Sequence, residues 1–186
     1  MIDESDPPLA AIAALLDTAG IPYMVVGSFA SAYHGNPRTT YDLDLVIDPS
    51  LAQLETLVRA IDPETYYVDL DVARDAFHRR GMFNVIEIAT AWKIDLVIRK
   101  ARPFSIEELR RRQRVEILGA AVAAATAEDT ILAKLEWFKA GGSERQLDDV
   151  VGIIRVQGEA LDRTYIARWA EDLGVGELWD RVIRSR

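Results

Sequence analysis

The stretch VVGSFASAYHGNPRTTYDLDLVID, residues 25–48, decides the predicted fold. An apolar strand turns at Gly27-Ser28 into a helix, and a second strand follows that carries Asp42 and Asp44. Side chains two residues apart on a strand leave the same face, so these carboxylates lie side by side. They repel each other unless a cation lies between them, which favours Mg²⁺ bound by carboxylate oxygens. By itself the pair fits two solvated aspartates on an edge strand equally well.

The residues between the turn and the carboxylates favour a phosphate-bearing ligand. Gly27 lets an anion approach the backbone, and the N–H groups at the start of a helix attract phosphate. We expect Ser28 to cap that helix and to donate to a phosphate oxygen. Arg38 and Thr39 are expected to contact phosphates or the acceptor. The alternative for Arg38 is an ion pair with one of the aspartates when no metal is bound.

A third carboxylate, Asp95, lies on a later predicted strand, residues 92–98. Apolar residues alternate with it, so its side chain points away from the core. On a neighbouring strand and the same face, it would complete a two-metal site with Asp42 and Asp44. Two ions can clamp the attacking and leaving oxygens of a phosphoryl displacement. Mg²⁺ is the expected ion, and Mn²⁺ is the alternative.

The chain up to residue 118 alternates short β-branched runs with helical stretches. This alternation is typical of an α/β (α+β) fold, a sheet flanked by helices. A hairpin is predicted between strands 84–89 and 92–98, and an edge strand at 114–118. Because a hairpin joins antiparallel strands, we predict a mixed sheet rather than a purely parallel one.

The pattern after residue 118 is helical to the end of the chain. Thr126 is the predicted N-cap of a helix, and Trp169 and Trp179 are predicted core anchors of later helices. We therefore predict two parts: an α/β core at residues 1–118 and a helical subdomain, residues 119–186, packed on that core.

The composition of the chain excludes or disfavours several kinds of site and binding partner. The 186 residues include no cysteine, which excludes disulfides and thiolate metal sites and fits a reducing cytoplasm, the expected location. No segment approaches the roughly 20 apolar residues of a membrane span, so no membrane contact is expected. The net charge of −8 argues against a general grip on nucleic acid. Arg110, Arg111, Arg112 and Arg114 form a local cluster, for which a solvated helix end is favoured over a nucleic-acid contact.

The motif order resembles that of a known superfamily. A strand, GS, a helix, an hDhDh strand (h, apolar) and a later hDh strand resemble the nucleotidyltransferase superfamily with the DNA-polymerase-β-like fold. The phrase GS-x-A-x-x-x-HG-x-P-R-x-T-x-DLDL resembles the AbiEii/MenT-type nucleotidyltransferases of abortive-infection and toxin–antitoxin systems. The resemblance covers about the first hundred residues and implies the superfamily fold.

The resemblance also implies a role for each matching residue. Gly27 and Ser28 would contact the nucleotide phosphates. Asp42 and Asp44 would bind both metal ions. Asp95 would bind one of the ions and help to activate the acceptor hydroxyl.

The helical half matches more loosely. The resemblance implies that Lys134 reaches toward the triphosphate; the alternative is a lysine whose stem lies on the core and whose head is in water. Related toxins often carry two aspartates three residues apart in the next helix. Asp149 matches the first and Gly152 replaces the second, which puts toxin activity in doubt. His34 is interpreted as a structural residue rather than a ligand.

These observations predict an enzyme that moves a nucleoside monophosphate from an NTP to an acceptor hydroxyl. The acceptor is left open between the 3′ end of tRNA, a small molecule such as an aminoglycoside-like antibiotic, and a protein. A place in a toxin–antitoxin or abortive-infection system follows from the resemblance. The alternative hypothesis is a non-catalytic module of the same fold that binds or regulates a small protein partner in a toxin–antitoxin pair.

Overall fold

A computed structural model describes residues 8–35, 37, 40 and 42–184. In this part of the chain the helices are α1 (Leu9–Thr18), α2 (Gly27–His34), α3 (Leu51–Ala60), α4 (Leu70–Arg79), α5 (Pro103–Arg111), α6 (Ala127–Lys139), α7 (Arg145–Gln157), α8 (Arg163–Asp172) and α9 (Gly176–Arg184). The strands are β1 (Tyr23–Val25), β2 (Asp42–Ile47), β3 (Tyr66–Tyr67), β4 (Met82–Glu87), β5 (Lys93–Ile98), β6 (Gln113–Ile117) and β7 (Ala120–Ala124). A short 3₁₀ helix, Gly158–Ala160, follows α7.

The strands form one sheet in the order β3-β4-β5-β2-β1-β7-β6. β2 runs parallel to β5 and β1 runs parallel to β7, whereas the other neighbouring pairs are antiparallel. The predicted α/β fold with a mixed sheet flanked by helices is therefore confirmed. The predicted hairpin is the β4–β5 pair, and the predicted edge strand is β6.

The pairing of β2 with β5 matters most for the site. In the parallel register Asp44 lies opposite Asp95, and Asp42 lies opposite Lys93. The leucines and isoleucines that alternate with these residues are all buried on the other face of the sheet. One face of the two strands is therefore apolar, because it packs on the main core. The other face carries the polar groups.

Strand β7 corrects the prediction that the chain is helical after residue 118. Its sequence is AAVAA, and alanine has the highest helix propensity of all residues, so the local signal favours a helix. In the structure β7 pairs with β1 and β6, and Val122 and Ala124 are fully buried. Pairing within the sheet overrides the local propensity here. The sheet thus reaches Ala124, and the division of the chain at residue 118 stays a prediction.

The helical half has its own apolar core, which α6, α7, α8 and α9 form together with Phe104 of α5. Trp169 and Trp179 are buried in it, as predicted. Thr126 caps α6, since its hydroxyl accepts a hydrogen bond from the backbone N–H of Asp129. Of the helices in the described residues, none is long and apolar enough to cross a membrane.

Candidate active site

Three carboxylates lie on one face of the neighbouring strands β2 and β5. Asp44 is directly opposite Asp95, and Asp42 comes two residues before Asp44. Asp95 is buried, Asp44 is half-buried and Asp42 is exposed. Alternation along each strand gives the face of every carboxylate. The parallel register is what brings the third one to the first two.

The electrostatic environment of Asp44 is unfavourable for its charged form. Burial, and then the neighbouring carboxylates of Asp95 and Asp42, raise the pKa of Asp44 to about 6. The ammonium groups of Lys134 and Lys93 lower this pKa and only partly offset the rise. The group of carboxylates therefore carries more negative charge than its protein neighbours neutralise.

Lys93 and Asn84 also belong to the site, although neither is among the site residues predicted from the sequence. The Nζ atom of Lys93 lies 3.0 Å from Asp95 Oδ2 and 3.7 Å from Asp42 Oδ1. The Asn84 amide donates a hydrogen bond to Asp95 Oδ1 across the β4–β5 pair. The hydrogen bond to Asp95 is the main reason why the pKa of Lys93 is raised. Lys93 could have been predicted from the sequence, because it is two residues before Asp95 on the same strand and its side chain therefore leaves the same face.

The carboxylates fit a hard divalent cation by their chemistry, since oxygen ligands suit Mg²⁺. As the side chains stand, no three Asp, Glu or His groups among the described residues are arranged around one ion position. The Lys93 ammonium lies between Asp42 and Asp95 instead. A divalent cation bound there would replace that ammonium and relieve the repulsion that raises the pKa of Asp44.

Gly27 lies against Asp44 at the start of α2. Its φ of 62° is in the left-handed region, which favours glycine, and a β-carbon added there would collide with the Asp44 carboxylate. The N-terminus of α2, which is the positive end of the helix dipole, therefore lies beside the carboxylates. The expected capping role of Ser28 is wrong, because the N-cap position belongs to Val26 and Ser28 lies within the first turn.

Lys134 reaches the same region from α6. Its side chain is buried, and its Nζ lies 2.7 Å from Asp149 Oδ2 on α7. The Ser31 hydroxyl of α2 donates to the same carboxylate oxygen at 3.3 Å. The alternative in which the lysine head is in water is therefore wrong. Lys134 also lowers the pKa of Asp44, so its charge acts at the carboxylate face.

His34 and Gly35 have structural roles at the end of α2. His34 is buried, and its Nε2 lies 2.8 Å from the Ala125 carbonyl oxygen, so Nε2 carries the donating proton. Burial lowers the pKa of this imidazole and favours the neutral form. A β-carbon at Gly35 would contact the backbone of Gly152 and Ile153, which shows how closely the end of α2 packs on α7.

Two predicted nucleotide contacts, Arg38 and Thr39, lie outside the described residues. Of the other predicted site residues, the structure places Asp42, Asp44 and Asp95 on one face. It places Gly27 and Ser28 at the adjoining helix start, and Lys134 close enough to influence Asp44.

Solved structures with the same fold are nucleotidyltransferase-like proteins. The antibiotic-resistance factor ANT(2″)-Ia in solution has a TM-score of 0.57 and 15% identity, over 93% of this chain and 95% of that chain. ANT(2″)-Ia in complex with adenylyl-2″-tobramycin has a TM-score of 0.52 and 16% identity, over 91% and 92%. An antigenic nucleotidyltransferase-like protein from Paracoccidioides brasiliensis has a TM-score of 0.53 and 17% identity, over 78% and 73%.

No protein-family model and no curated protein matches the sequence. At 15–17% identity, these structural similarities show the fold of the chain and leave its activity to be proposed. The narrower resemblance to the AbiEii/MenT type stays a prediction.

Proposed function

We propose that this chain is a divalent-metal-dependent nucleotidyltransferase that moves a nucleoside monophosphate from an NTP to an acceptor hydroxyl. The observation that carries the proposal is the grouping of Asp42, Asp44 and Asp95 on one sheet face, with Gly27 and a helix start against Asp44. A shared fold with nucleotidyltransferase-like proteins over most of the chain supports it.

Asp42, Asp44 and Asp95 would hold Mg²⁺, or Mn²⁺ in its place. When bound, the ions would neutralise charge on the α-phosphate and on the leaving pyrophosphate. In the reaction the acceptor oxygen bonds to the α-phosphorus while the bond from that phosphorus to the bridging oxygen breaks. Asp95 would take up the proton of the acceptor hydroxyl.

The phosphates would lie against the start of α2. Gly27 lies directly against the Asp44 carboxylate, where a larger residue would displace that carboxylate, and the helix dipole there favours anions. Lys134 would exchange part of its contact with Asp149 for the triphosphate. Most of the rate enhancement would come from positioning and preorganised charge, as in other phosphoryl transfers.

The acceptor is proposed as a hydroxyl of a small molecule, of the 3′ end of an RNA such as tRNA, or of a protein. The net charge of −8 favours a cationic small molecule. One structural neighbour was solved with adenylyl-2″-tobramycin, which supports an aminoglycoside-like acceptor as the first compound to test.

A toxin–antitoxin or abortive-infection role rests on the AbiEii/MenT resemblance. The buried position of Gly152, against the backbone of Gly35, counts against a second reactive group at that point of α7. Transfer to a non-toxic acceptor therefore stands ahead of a toxin role.

Calorimetric titration of each NTP with Mg²⁺ tests the active-site assignment. We expect metal-dependent NTP binding by the wild type, loss of that binding in the double variant Asp42→Asn/Asp44→Asn, and retention in the control Asp71→Asn. Asp71 is a suitable control because its side chain is 89% exposed and lies on α4. Binding that the double variant keeps would refute the assignment. If none of the NTPs binds to the wild type, the non-catalytic regulatory module is favoured, and the next step is a search for its protein partner.

A further inference from the structure

A groove of about 340 Å³ lies apart from the carboxylates. It is formed by the end of α5, the start of β6 and the segment that leads from α1 into β1. Arg110, Arg112 and Arg114 line it, together with Asp17 and Tyr23. Three of these side chains are cationic and one is anionic, so the groove is positive although the chain as a whole has a net charge of −8.

The arginines differ in how fully their charge is neutralised. Arg110 is paired with Glu107 through two hydrogen bonds of 2.8 and 2.6 Å. Arg112 donates to the Leu109 carbonyl oxygen, which holds the guanidinium in place without neutralising it. Arg114 lies 3.9 Å from Asp17, and both of these side chains are more than half exposed, so the pair is weak. Arg112 and Arg114 therefore keep most of their charge for a ligand.

Tyr23 gives the second, independent indication of a ligand. Its side chain is 2% exposed, and its buried hydroxyl has no hydrogen-bond partner among the described residues. The backbone of Ala123 and the guanidinium of Arg114 lie near this hydroxyl, but neither makes a hydrogen bond of normal geometry with it. A buried hydroxyl without a partner costs about 1–3 kcal/mol, and such groups are rare in proteins. A phenylalanine would fill the same space without that cost, so a ligand that accepts from the hydroxyl explains the tyrosine.

We propose that this groove is a phosphate-binding site, separate from the carboxylate site, in which Arg112, Arg114 and the Tyr23 hydroxyl donate to phosphate oxygens. The planar guanidinium group matches phosphate geometry through two parallel N–H donors. The ligand chemistry is a phosphate monoester or diester, from a small phosphorylated molecule or from the backbone of a nucleic-acid strand. The site does not depend on nucleotidyl transfer at Asp42, Asp44 and Asp95.

The test is a calorimetric titration in EDTA, with inorganic pyrophosphate and with a short single-stranded oligoribonucleotide as the two probes. The proteins are the wild type, Arg112→Gln/Arg114→Gln, Tyr23→Phe and the control Arg155→Gln, which removes an exposed charge on α7. Repeating the titration on the Asp42→Asn/Asp44→Asn protein separates the two sites, because groove binding should persist there even if nucleotidyl transfer is disproved.

We expect Tyr23→Phe to weaken binding by roughly tenfold, since a hydrogen bond to a charged group is lost, and to keep or raise the melting temperature. The double arginine variant should weaken binding more than Tyr23→Phe does, and the control should bind like the wild type. If the oligoribonucleotide is the ligand, removing two phosphate contacts should also reduce the slope of log K against log salt by about 1.4.

Binding of pyrophosphate alone would support the proposal and identify a small phosphorylated ligand. Salt-dependent binding of the oligoribonucleotide would support it and identify a nucleic-acid strand. Failure of both probes to bind, or binding that the arginine and tyrosine variants leave unchanged, would overturn it. A fall in the melting temperature of Tyr23→Phe together with unchanged binding would show that the hydroxyl is purely structural.

Discussion

The carboxylate face of the sheet and the Asp129 site both bury negative charge, but they differ in how fully neighbouring groups neutralise that charge. Asp129 is fully buried near the start of α6, yet each of its oxygens has a partner. Oδ1 accepts from the Tyr165 hydroxyl at 2.6 Å, and Oδ2 accepts from the Thr126 hydroxyl at 2.7 Å and from Arg111 at 3.3 Å. Arg111 also stacks over the Tyr165 ring, 3.8 Å from its centroid.

On the carboxylate face, by contrast, the ammonium groups of Lys93 and Lys134 only partly offset burial and the repulsion among three aspartates, and the pKa of Asp44 is raised to about 6. Burial also raises the pKa of Asp129, but there the hydrogen bonds and Arg111 oppose the rise. The difference indicates that the Asp129 cluster holds α5, α6 and α8 together. The carboxylate face is left short of positive charge, as a site that binds a cation requires.

Substitution of Asp44 by Asn should give the largest effect on activity and little loss of stability. We expect nucleotidyl transfer to fall by more than about 100-fold, because even indirect metal partners are worth 10- to 100-fold. The melting temperature should stay constant or rise, because the repulsion among the three carboxylates is reduced. Transfer of labelled NMP and thermal unfolding measure the two quantities on one preparation, with Asp71→Asn as the control. A large fall in melting temperature would show that Asp44 is structural.

Substitution of Asp129 by Ala should do the opposite. It leaves Arg111 and the hydroxyls of Tyr165 and Thr126 without their buried acceptor, so we expect the free energy of unfolding to fall by about 3–5 kcal/mol. Urea denaturation measures that loss, and Asp129→Asn, which keeps an acceptor oxygen, should lose less. Where the Ala variant is still folded, nucleotidyl transfer should be close to that of the wild type. An unchanged unfolding midpoint would contradict the structural role of the cluster.

The sequence predicts the carboxylate face better than the Asp129 cluster for a physical reason. Alternation on a strand gives the face of Asp42, Asp44 and Asp95 directly, since its period is two residues. Thr126 is a local partner of Asp129, but Arg111 and Tyr165 come from α5 and α8, far apart in the chain, and no local pattern indicates that they meet. β7 is not predictable from the local sequence for a similar reason: its alanines favour a helix, and only pairing with β1 and β6 makes this segment a strand.

Glu108 extends the comparison to pH. It is buried beside the Asp129 cluster, and burial, followed by the charge of Asp129, raises the pKa of Glu108 to about 8. Glu136 raises this pKa further, while a hydrogen bond with Ser105 and the charge of Arg102 lower it. The folded protein thus binds a proton at neutral pH that the unfolded chain, with a glutamate pKa of about 4.3, has released.

The free energy of unfolding should therefore fall as the pH rises from about 4.3 to 8, by at most about 1.4 kcal/mol per unit. Glu108→Gln, which resembles the protonated form, should flatten this dependence and be more stable than the wild type at pH 7.5. Urea denaturation from pH 5 to 8 measures the difference between the two proteins. Asp44 is present in both proteins, so its contribution to the pH dependence cancels in the difference between them. Parallel pH profiles would refute the assignment.

Lys93 gives the smallest and most specific test of the comparison. If its ammonium holds the position that a divalent cation takes, Lys93→Met should bind Mg²⁺ or Mn²⁺ several-fold more tightly, since about 1 kcal/mol of competition is removed. In EDTA the same variant should be less stable than the wild type, because Asp42 and Asp95 then lack their shared cation. Saturating Mg²⁺ should restore the lost stability.

Lys100→Met is the matched control, because Lys100 is exposed just past the end of β5. It should change neither metal affinity nor stability in EDTA. If Lys93 instead serves the nucleotide phosphates, Lys93→Met should weaken NTP binding and leave the affinity for the metal alone unchanged. The two roles predict different changes in metal affinity and NTP affinity. Measuring both affinities on Lys93→Met therefore decides whether the Lys93 ammonium occupies the cation position in the absence of metal or contacts the nucleotide phosphates.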